Sequence, residues 1–187
     1  MAESCVLADR TWIRAFRAGD YVLIVAEGEL PTPAFDVDIV TNPRKIFPPQ
    51  FDLLRCPIPG IVPQVITPYL YAESVRFPAG QPVVTVHHAD GTDSVDIEPC
   101  GEELSAYAQA VSGPSARPCP EGAEEATGLS RNLSFDEAFA NALANLPPFE
   151  PPFPDALARV EVVEIGGLFG GIAGFNHLFV RICRTVT

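Results

Sequence analysis

The segment NLSFDEAFANAL, residues 132–143, is the part of the sequence that most clearly predicts local structure. Ser134 and Glu137 have the spacing of a capping box, in which the serine oxygen accepts the N3 amide and the glutamate carboxylate accepts the serine amide. Apolar residues then recur at the spacing of one helical face: Phe135, Ala138, Phe139, Ala142 and Leu146. A helix of about three turns is marginal alone, so we expect this one to lie on a sheet.

Strand-forming segments stand on both sides of this helix. ARVEVVEI (158–165) and NHLFVRICRTV (176–186) are rich in β-branched residues, and the glycine-rich GGLFGGIAG (166–174) joins them. A shorter strand, ATGLS (126–130), precedes the helix. Together these segments predict a β-α-β-β domain over residues 125–187.

The order and spacing of ATGLS, SFDEAFANAL, ARVEVVEIGG and GIAGFNHLFVRICR resemble the dodecins, a family of small flavin-storing proteins. The resemblance covers residues 124–187, about a third of the chain. It implies a helix wrapped by a curved three-stranded antiparallel sheet, and assembly of the chain into a hollow dodecamer. A homo-oligomer is therefore expected.

Two positions depart from the pattern of the flavin-binding dodecins. Those proteins place a tryptophan just before VEVVE and a glutamine just after it, and here the two positions hold Arg159 and Ile165. An isoleucine side chain has no hydrogen bond to give to a flavin ring. The resemblance therefore implies the scaffold and its assembly, whereas flavin is not expected as a cofactor and no other cofactor is predicted.

The first part of the chain predicts short strands separated by turns. Gly19-Asp20 and Asp90-Gly91 mark turns between apolar runs. Eleven prolines stand in residues 31–82, counting Pro31 and Pro82, and proline is confined to sheet edges, bulges and loops. No helical period separates the strands, which favours an antiparallel β-sandwich or an open barrel.

The chain as a whole is therefore predicted to be α+β, in three parts. Residues 1–111 form an all-β domain that ends in a short helix, because GEELSAYAQAVSG (101–113) has a helical apolar face. Residues 112–124 form an acidic, proline-rich linker, and residues 125–187 form the dodecin-like domain.

Composition narrows the classes of function. The net charge of −12 argues against a nucleic-acid partner and against an anionic membrane surface.

The sequence also bears on the location of the protein. No apolar stretch reaches the length of about 18 residues that spans a bilayer. The first ten residues, MAESCVLADR, are acidic where a signal peptide is basic. Five scattered cysteines without a C-x-x-C pair predict a cytoplasmic protein, with Cys183 as a packed thiol.

Candidate site residues fall into two groups. Arg159, Phe169, Phe175 and Phe179 are candidate wall residues for an aromatic or lipid-like ligand. His87 and Asp90, with His88, are candidate metal ligands, although adjacent strand residues point to opposite faces and a strand end beside a turn explains them as well.

Three hypotheses of function follow. The first is a non-enzymatic assembly or binding protein built on the dodecin-like domain, with a protein partner or a small ligand. The second is a small-molecule carrier. The third is a metal-assisted enzyme that uses His87, His88 and Asp90.

Overall fold

The computed structural model describes residues 5–115, 117–151, 153 and 155–186. The chain divides into two compact units, Met1–Pro99 and Cys100–Thr187. The division thus falls upstream of the predicted linker at residues 112–124. The short helix that we predicted at the end of the first domain belongs to the second unit.

The first unit is a single eight-stranded sheet. Its strands are β1 (Val6–Leu7), β2 (Trp12–Ala18), β3 (Tyr21–Leu30), β4 (Phe35–Thr41), β5 (Gln50–Pro57), β6 (Thr67–Arg76), β7 (Val83–His88) and β8 (Gly91–Pro99). They follow the order β1-β5-β7-β8-β2-β3-β6, with β4 paired to β5. The sheet curls into a half-barrel, which agrees with the open barrel, one of the two architectures predicted for this part of the chain.

This sheet is mixed and not wholly antiparallel. The pairs β2–β8 and β5–β7 are parallel, and the other pairs are antiparallel. Parallel neighbours need a crossover connection, which is most often a helix. Here the crossovers consist of strands and loops, so no helical period marked them in the sequence.

Apolar side chains from several strands form the core of the first unit. Its fully buried residues include Val22, Ile24, Ala26, Phe51, Leu53, Val84 and Val86. On β4, Val37 and Ile39 are buried, as the alternation of that segment predicts. The buried side chains form one continuous core within the unit. On several strands they come from every second residue, because alternate side chains of a strand point to the same face.

The second unit contains two helices and a three-stranded sheet. After a 3-10 turn at Glu102–Leu104 come α1 (Ser105–Ser112), β9 (Glu124–Ser130), α2 (Phe135–Asn145), β10 (Ala158–Gly170) and β11 (Phe175–Val186). The sheet is antiparallel in the order β10-β11-β9. The predicted β-α-β-β order of this part of the chain is confirmed.

The two helices cover opposite faces of this sheet. Under α2 lies a small apolar core: Ala126, Ala138, Ala142, Leu146, Val180 and Ile182. On the other face, Tyr107 of α1 stacks on Phe175 of β11 with ring centroids 5.6 Å apart. The helix α1 is therefore an integral layer of the second unit.

Arg181 of β11 holds α1 in place. Its side chain is fully buried, and its guanidinium donates to the main-chain oxygens of Gln109, Ala110 and Gly113 at 2.9, 2.6 and 2.7 Å. These carbonyls lie at the end of the helix, where C=O groups lack the regular intrahelical partner. Gln109 O also accepts the Gly113 amide at 3.0 Å. The charge is offset by Glu125 and Glu164, at 3.4 and 3.6 Å.

Four of the five cysteines are paired. Cys5 is bonded to Cys56 in the first unit, and Cys119 is bonded to Cys183 in the second. The prediction of Cys183 as a packed thiol is therefore wrong. The partners lie 51 and 64 residues apart in sequence, so only the folded chain brings them together.

No helix in the described part of the chain has the length and apolar character needed to cross a membrane.

Candidate functional site

The start of α2 uses a modified capping box. Ser134 Oγ accepts the Glu137 amide at 3.3 Å, as predicted. The amide of Ser134, however, donates to Ser130 Oγ at 3.1 Å instead of to the glutamate. Glu137 accepts from Ser130 Oγ at 2.6 Å and from Asn132 Nδ2 at 3.0 Å. Ser130 thus links the end of β9 to the first turn of α2.

Two asparagines of α2 cover the outer edge of β9. Asn141 Nδ2 donates to the Leu129 oxygen at 2.7 Å, and Asn145 Nδ2 donates to the Thr127 oxygen at 2.9 Å. Thr127 and Leu129 are two residues apart, so their carbonyls point to the same side of the strand. The helix therefore satisfies two of the carbonyl groups that an edge strand leaves open.

Gly128 makes this close approach of helix and strand feasible. A Cβ atom at this position would collide with the backbone nitrogen of Ala142 and the backbone oxygen of Ala138. Both alanines are fully buried. The small residues on both elements let the α2 backbone lie directly on β9.

At the opposite edge of the sheet, β10 pairs on one side only among the residues that the structure describes. β10 is the longest strand, with 13 residues, and it hydrogen-bonds to β11. A bulge between Val162 and Glu164 divides it into two halves. A long outer strand presents a row of open N–H and C=O groups that can pair with another chain.

Exposed apolar side chains accompany the second half of β10. Ile165 is 55% exposed and Phe169 is 68% exposed. The partner of Ile165 in β11 is Val180, which packs under α2, so Ile165 lies on the α2 face of the sheet. On α2 itself, Phe135 is exposed and stacks on Phe139. This side of the second unit thus combines an open strand edge with uncovered apolar surface.

The predicted ligand-wall residues do not share one surface. Phe175 and Phe179 are buried, the first against Tyr107 and the second beside Gly166, where a Cβ would collide with its ring. Arg159 and Phe169 are exposed, but they pair with Thr185 and Asn176 at opposite ends of the β10–β11 hairpin. No common wall forms from these four side chains.

The bulge in β10 also separates the two positions at which the sequence departs from flavin-binding dodecins. Before the bulge, Val160 and Val162 face α2, which puts Arg159 on the other face. After the bulge, Glu164 pairs with Arg181 on the α1 face, and Ile165 faces α2. Arg159 and Ile165 therefore lie on opposite faces of the sheet. The Arg159 guanidinium is bound to Glu161 at 2.6 Å.

A groove of about 570 Å³ opens beside the end of β11. It is lined by Gly122, Glu124, Pro147, Pro148, Phe149, Glu150, Arg184 and Val186. Arg184 donates from Nε to Glu124 at 2.6 Å and from Nη2 to the Pro147 oxygen at 2.7 Å, and the Phe149 ring lies 5.5 Å from its guanidinium. The groove contains none of the predicted wall residues, and its arginine is engaged within the chain.

His87 and His88 lie on opposite faces of β7 and have separate partners. His87 is bonded through its two ring nitrogens to Thr92 Oγ1 at 2.8 Å and Gln50 Oε1 at 2.9 Å. His88 is buried, and its Nδ1 accepts the main-chain amide of Asp90 at 3.3 Å. Asp90 thus contributes its amide and not its carboxylate. The three side chains are not gathered around one point where a metal ion could bind.

Within the described residues, the one group of three side chains spaced for a metal ion is Cys119, Glu125 and Cys183. Its two sulfur atoms are joined in a disulfide, so they offer no thiolate, the form of cysteine that binds metals. Sequence reasoning missed this cluster because Cys119 lies in the predicted linker.

Beside His88, Asp93 forms a bidentate ion pair with Arg10. Arg10 Nε lies 2.7 Å from Oδ2 and Nη2 lies 3.0 Å from Oδ1. His88 Nε2 is 3.2 Å from Oδ1, at an angle outside hydrogen-bond geometry. The hydrogen bonds from Arg10 hold the pKa of Asp93 below its usual value.

This depressed pKa predicts a pH-dependent contribution to stability. A lowered carboxyl pKa stabilises the folded state above the unfolded-state pKa, and the contribution is lost as the pH falls through the folded-state pKa. We expect Asp93→Asn to lower the free energy of unfolding by about 1 kcal/mol at neutral pH, and the difference from wild type to shrink as the pH falls below the unfolded carboxyl pKa of about 3.9. Urea unfolding at pH 7 and pH 3 checks this. Asp96→Asn, an exposed carboxylate of the same strand, is the control, and equal losses in both variants at pH 7 would contradict the assignment.

In comparisons with known proteins, no family model, no curated protein and no solved structure matches this chain.

Proposed function

We propose that this protein is a non-enzymatic assembly protein whose second unit acts as a homo-oligomeric hub, similar in scaffold to the dodecins. The observation that carries the proposal is the difference between the two edges of the β10-β11-β9 sheet. Asn141 and Asn145 cover the β9 edge, whereas the β10 edge runs beside the exposed side chains of Ile165 and Phe169. Natural sheets cover, charge or shorten their edges, and an apolar edge left open is a pairing site.

The order of elements and the capped helix support the same proposal. The β9-α2-β10-β11 order on an antiparallel sheet is the arrangement that the dodecin resemblance implies. Flavin is not part of the proposal, since Arg159 and Ile165 lie on opposite faces and cannot contact one ring together.

The geometry favours this hypothesis over the other two. The carrier hypothesis needs a wall of Phe169, Phe175 and Phe179, and two of these rings are used in the core. The enzyme hypothesis needs the side chains of His87, His88 and Asp90 to converge. His87 is bonded to Thr92 and Gln50 instead, and His88 is bonded to the main-chain amide of Asp90. The cytoplasmic location was predicted from cysteines expected to be unpaired, and four of the five are paired in disulfides, so that prediction loses its support. The proposed assembly function does not depend on the compartment.

Size-exclusion chromatography with light scattering tests the proposal. We expect a defined species whose mass is a multiple of the 20.1 kDa chain. The measurement uses the full chain without reductant, because the disulfide Cys119–Cys183 lies within the second unit. A single species of 20.1 kDa at every concentration would contradict the proposal.

A further inference from the structure

We infer that the outer edge of β10 pairs with the same edge of a second copy of the chain, antiparallel about a two-fold axis at Gly167. This inference rests on the proposed assembly function and names the partner and the register of the contact. It is carried by the charge pattern of the strand, by its bulge and by the side chains that the register brings together.

The charge pattern confines pairing to the second half of β10. Arg159, Glu161 and Glu164 precede or flank the bulge, and charged side chains on an edge oppose pairing with another strand. The five residues 165–169, of sequence IGGLF, carry no charge. In a chain of net charge −12, two copies repel each other, so a self-contact is favoured where no charge has to be buried.

The register about Gly167 makes this segment complementary to itself. It places Ile165 opposite the partner's Phe169, and the two-fold axis repeats the same pair on the other side. A β-branched side chain opposite an aromatic one is a favourable cross-strand pair. Both side chains are more than half exposed in the single chain and become covered in the pair.

Neighbouring registers lose this complementarity. With the axis at Gly166, Ile165 would face the partner's Gly167, and the charged Glu164 would face the partner's Leu168. With the axis at Leu168, Ile165 would face Gly171 of the partner subunit, outside the strand. At the Gly167 axis itself there is no side chain, and the Phe169 ring lies over this position.

Cysteine cross-linking of the full chain tests the register directly. All variants carry Cys100→Ser, which removes the free thiol. Directly opposed residues of antiparallel strands have Cα atoms about 4.5–5.5 Å apart, within the range of a disulfide. Under mild oxidation without reductant, Gly167→Cys is expected to give a covalent dimer on a non-reducing gel.

Mixing experiments distinguish this register from its neighbours. Ile165→Cys and Phe169→Cys are each expected to cross-link poorly alone and about tenfold more when mixed in equal amounts, because each faces the other across the axis. Leu157→Cys is the control, since Leu157 is 68% exposed, as Phe169 is, but lies outside β10. Cross-linking of Gly167→Cys no greater than that of the control would overturn the inference.

A side chain placed at Gly167 would press on the Phe169 ring, so a second test leaves Gly167 unchanged. This test introduces a charge at Phe169 instead. Phe169→Lys is expected to weaken self-association at least about tenfold in sedimentation measurements, since it buries an unpaired charge in the contact. The matched control Leu157→Lys is expected to leave association unchanged. Equal association of the two variants would overturn the pairing.

The outcomes separate this inference from the function on which it rests. An oligomeric wild type whose Phe169→Lys and Gly167→Cys variants behave as their controls would overturn the β10 pairing and leave the assembly function standing. A monomeric wild type would overturn both.

Discussion

The Arg181→Met variant is expected to lose about 3–5 kcal/mol of unfolding free energy and to release α1 from the sheet. The physical reason is that one buried guanidinium serves three carbonyls at the end of α1. Without it Gly113 O loses its guanidinium donor, while Gln109 O and Ala110 O keep only the Gly113 amide and the Thr127 hydroxyl, at 3.0 and 3.5 Å. A buried polar group left unsatisfied costs about 1–3 kcal/mol. Glu125 and Glu164 lose their shared counter-charge at the same time.

Hydrogen exchange along the chain, combined with urea unfolding, measures this effect in the second unit. The amides of Ser105–Ser112 are expected to lose protection in Arg181→Met, whereas those of the first unit keep theirs. The control is Arg117→Met, since Arg117 is 71% exposed and lies 3.8 Å from Glu161, a pair expected to contribute less than about 1 kcal/mol. A loss in Arg181→Met no greater than in this control, with α1 still protected, would show that α1 is held by its apolar contacts alone.

The Gly128→Ala variant is expected to destabilise the second unit by about 3 kcal/mol, although it adds a single methyl group. The added Cβ would collide with the main chain of α2 at Ala138 and Ala142. Backbone atoms cannot turn aside as a side chain can, so the helix would have to move outward. That movement would also strain the bonds from Asn141 and Asn145 to β9.

Thermal and urea unfolding followed by circular dichroism check this expectation. Gly80→Ala is the matched control, because a Cβ at Gly80 meets no atom within 4 Å and the expected change is within about 0.5 kcal/mol. Trimming the helix with Ala142→Gly is not expected to rescue Gly128→Ala, since the obstacle is the backbone. A stability loss in Gly128→Ala equal to that of the control would mean that α2 does not lie on β9 as closely as described.

The helix α2 shows how far local sequence carries a prediction. Ser134 caps the helix as its spacing predicts, and the apolar stripe lies on the sheet from Ala138 to Leu146, whereas Phe135 is exposed. The glutamate half of the capping box differs, because Ser130 of the preceding strand takes the Ser134 amide. A residue outside the helix competes for the cap, and the capping pattern does not include it.

The asparagines of α2 show a second limit. In sequence, Asn141 and Asn145 stand on the polar face of an amphipathic helix, which indicates solvent. In the folded unit their amides reach the carbonyls of Thr127 and Leu129 and cover a strand edge. A polar helix residue can face water or an unpaired strand, depending on where the sheet ends. Only the pairing of the strands decides where the sheet ends.

The sequence by itself determined part of this protein: several strands and turns of the first unit, the capped helix α2 and the β-α-β-β order around it. It did not predict β5 and β6, which lie among the prolines. Turn residues, capping residues and apolar periods act within a few positions of each other, so their effect is visible in the chain. Only the tertiary structure decided the parallel strand pairs, the disulfides, the place of α1 and the face on which Arg159 and Ile165 lie. Each of these depends on contacts between distant residues, or on one bulge that reverses the faces of a strand, and no local pattern records either.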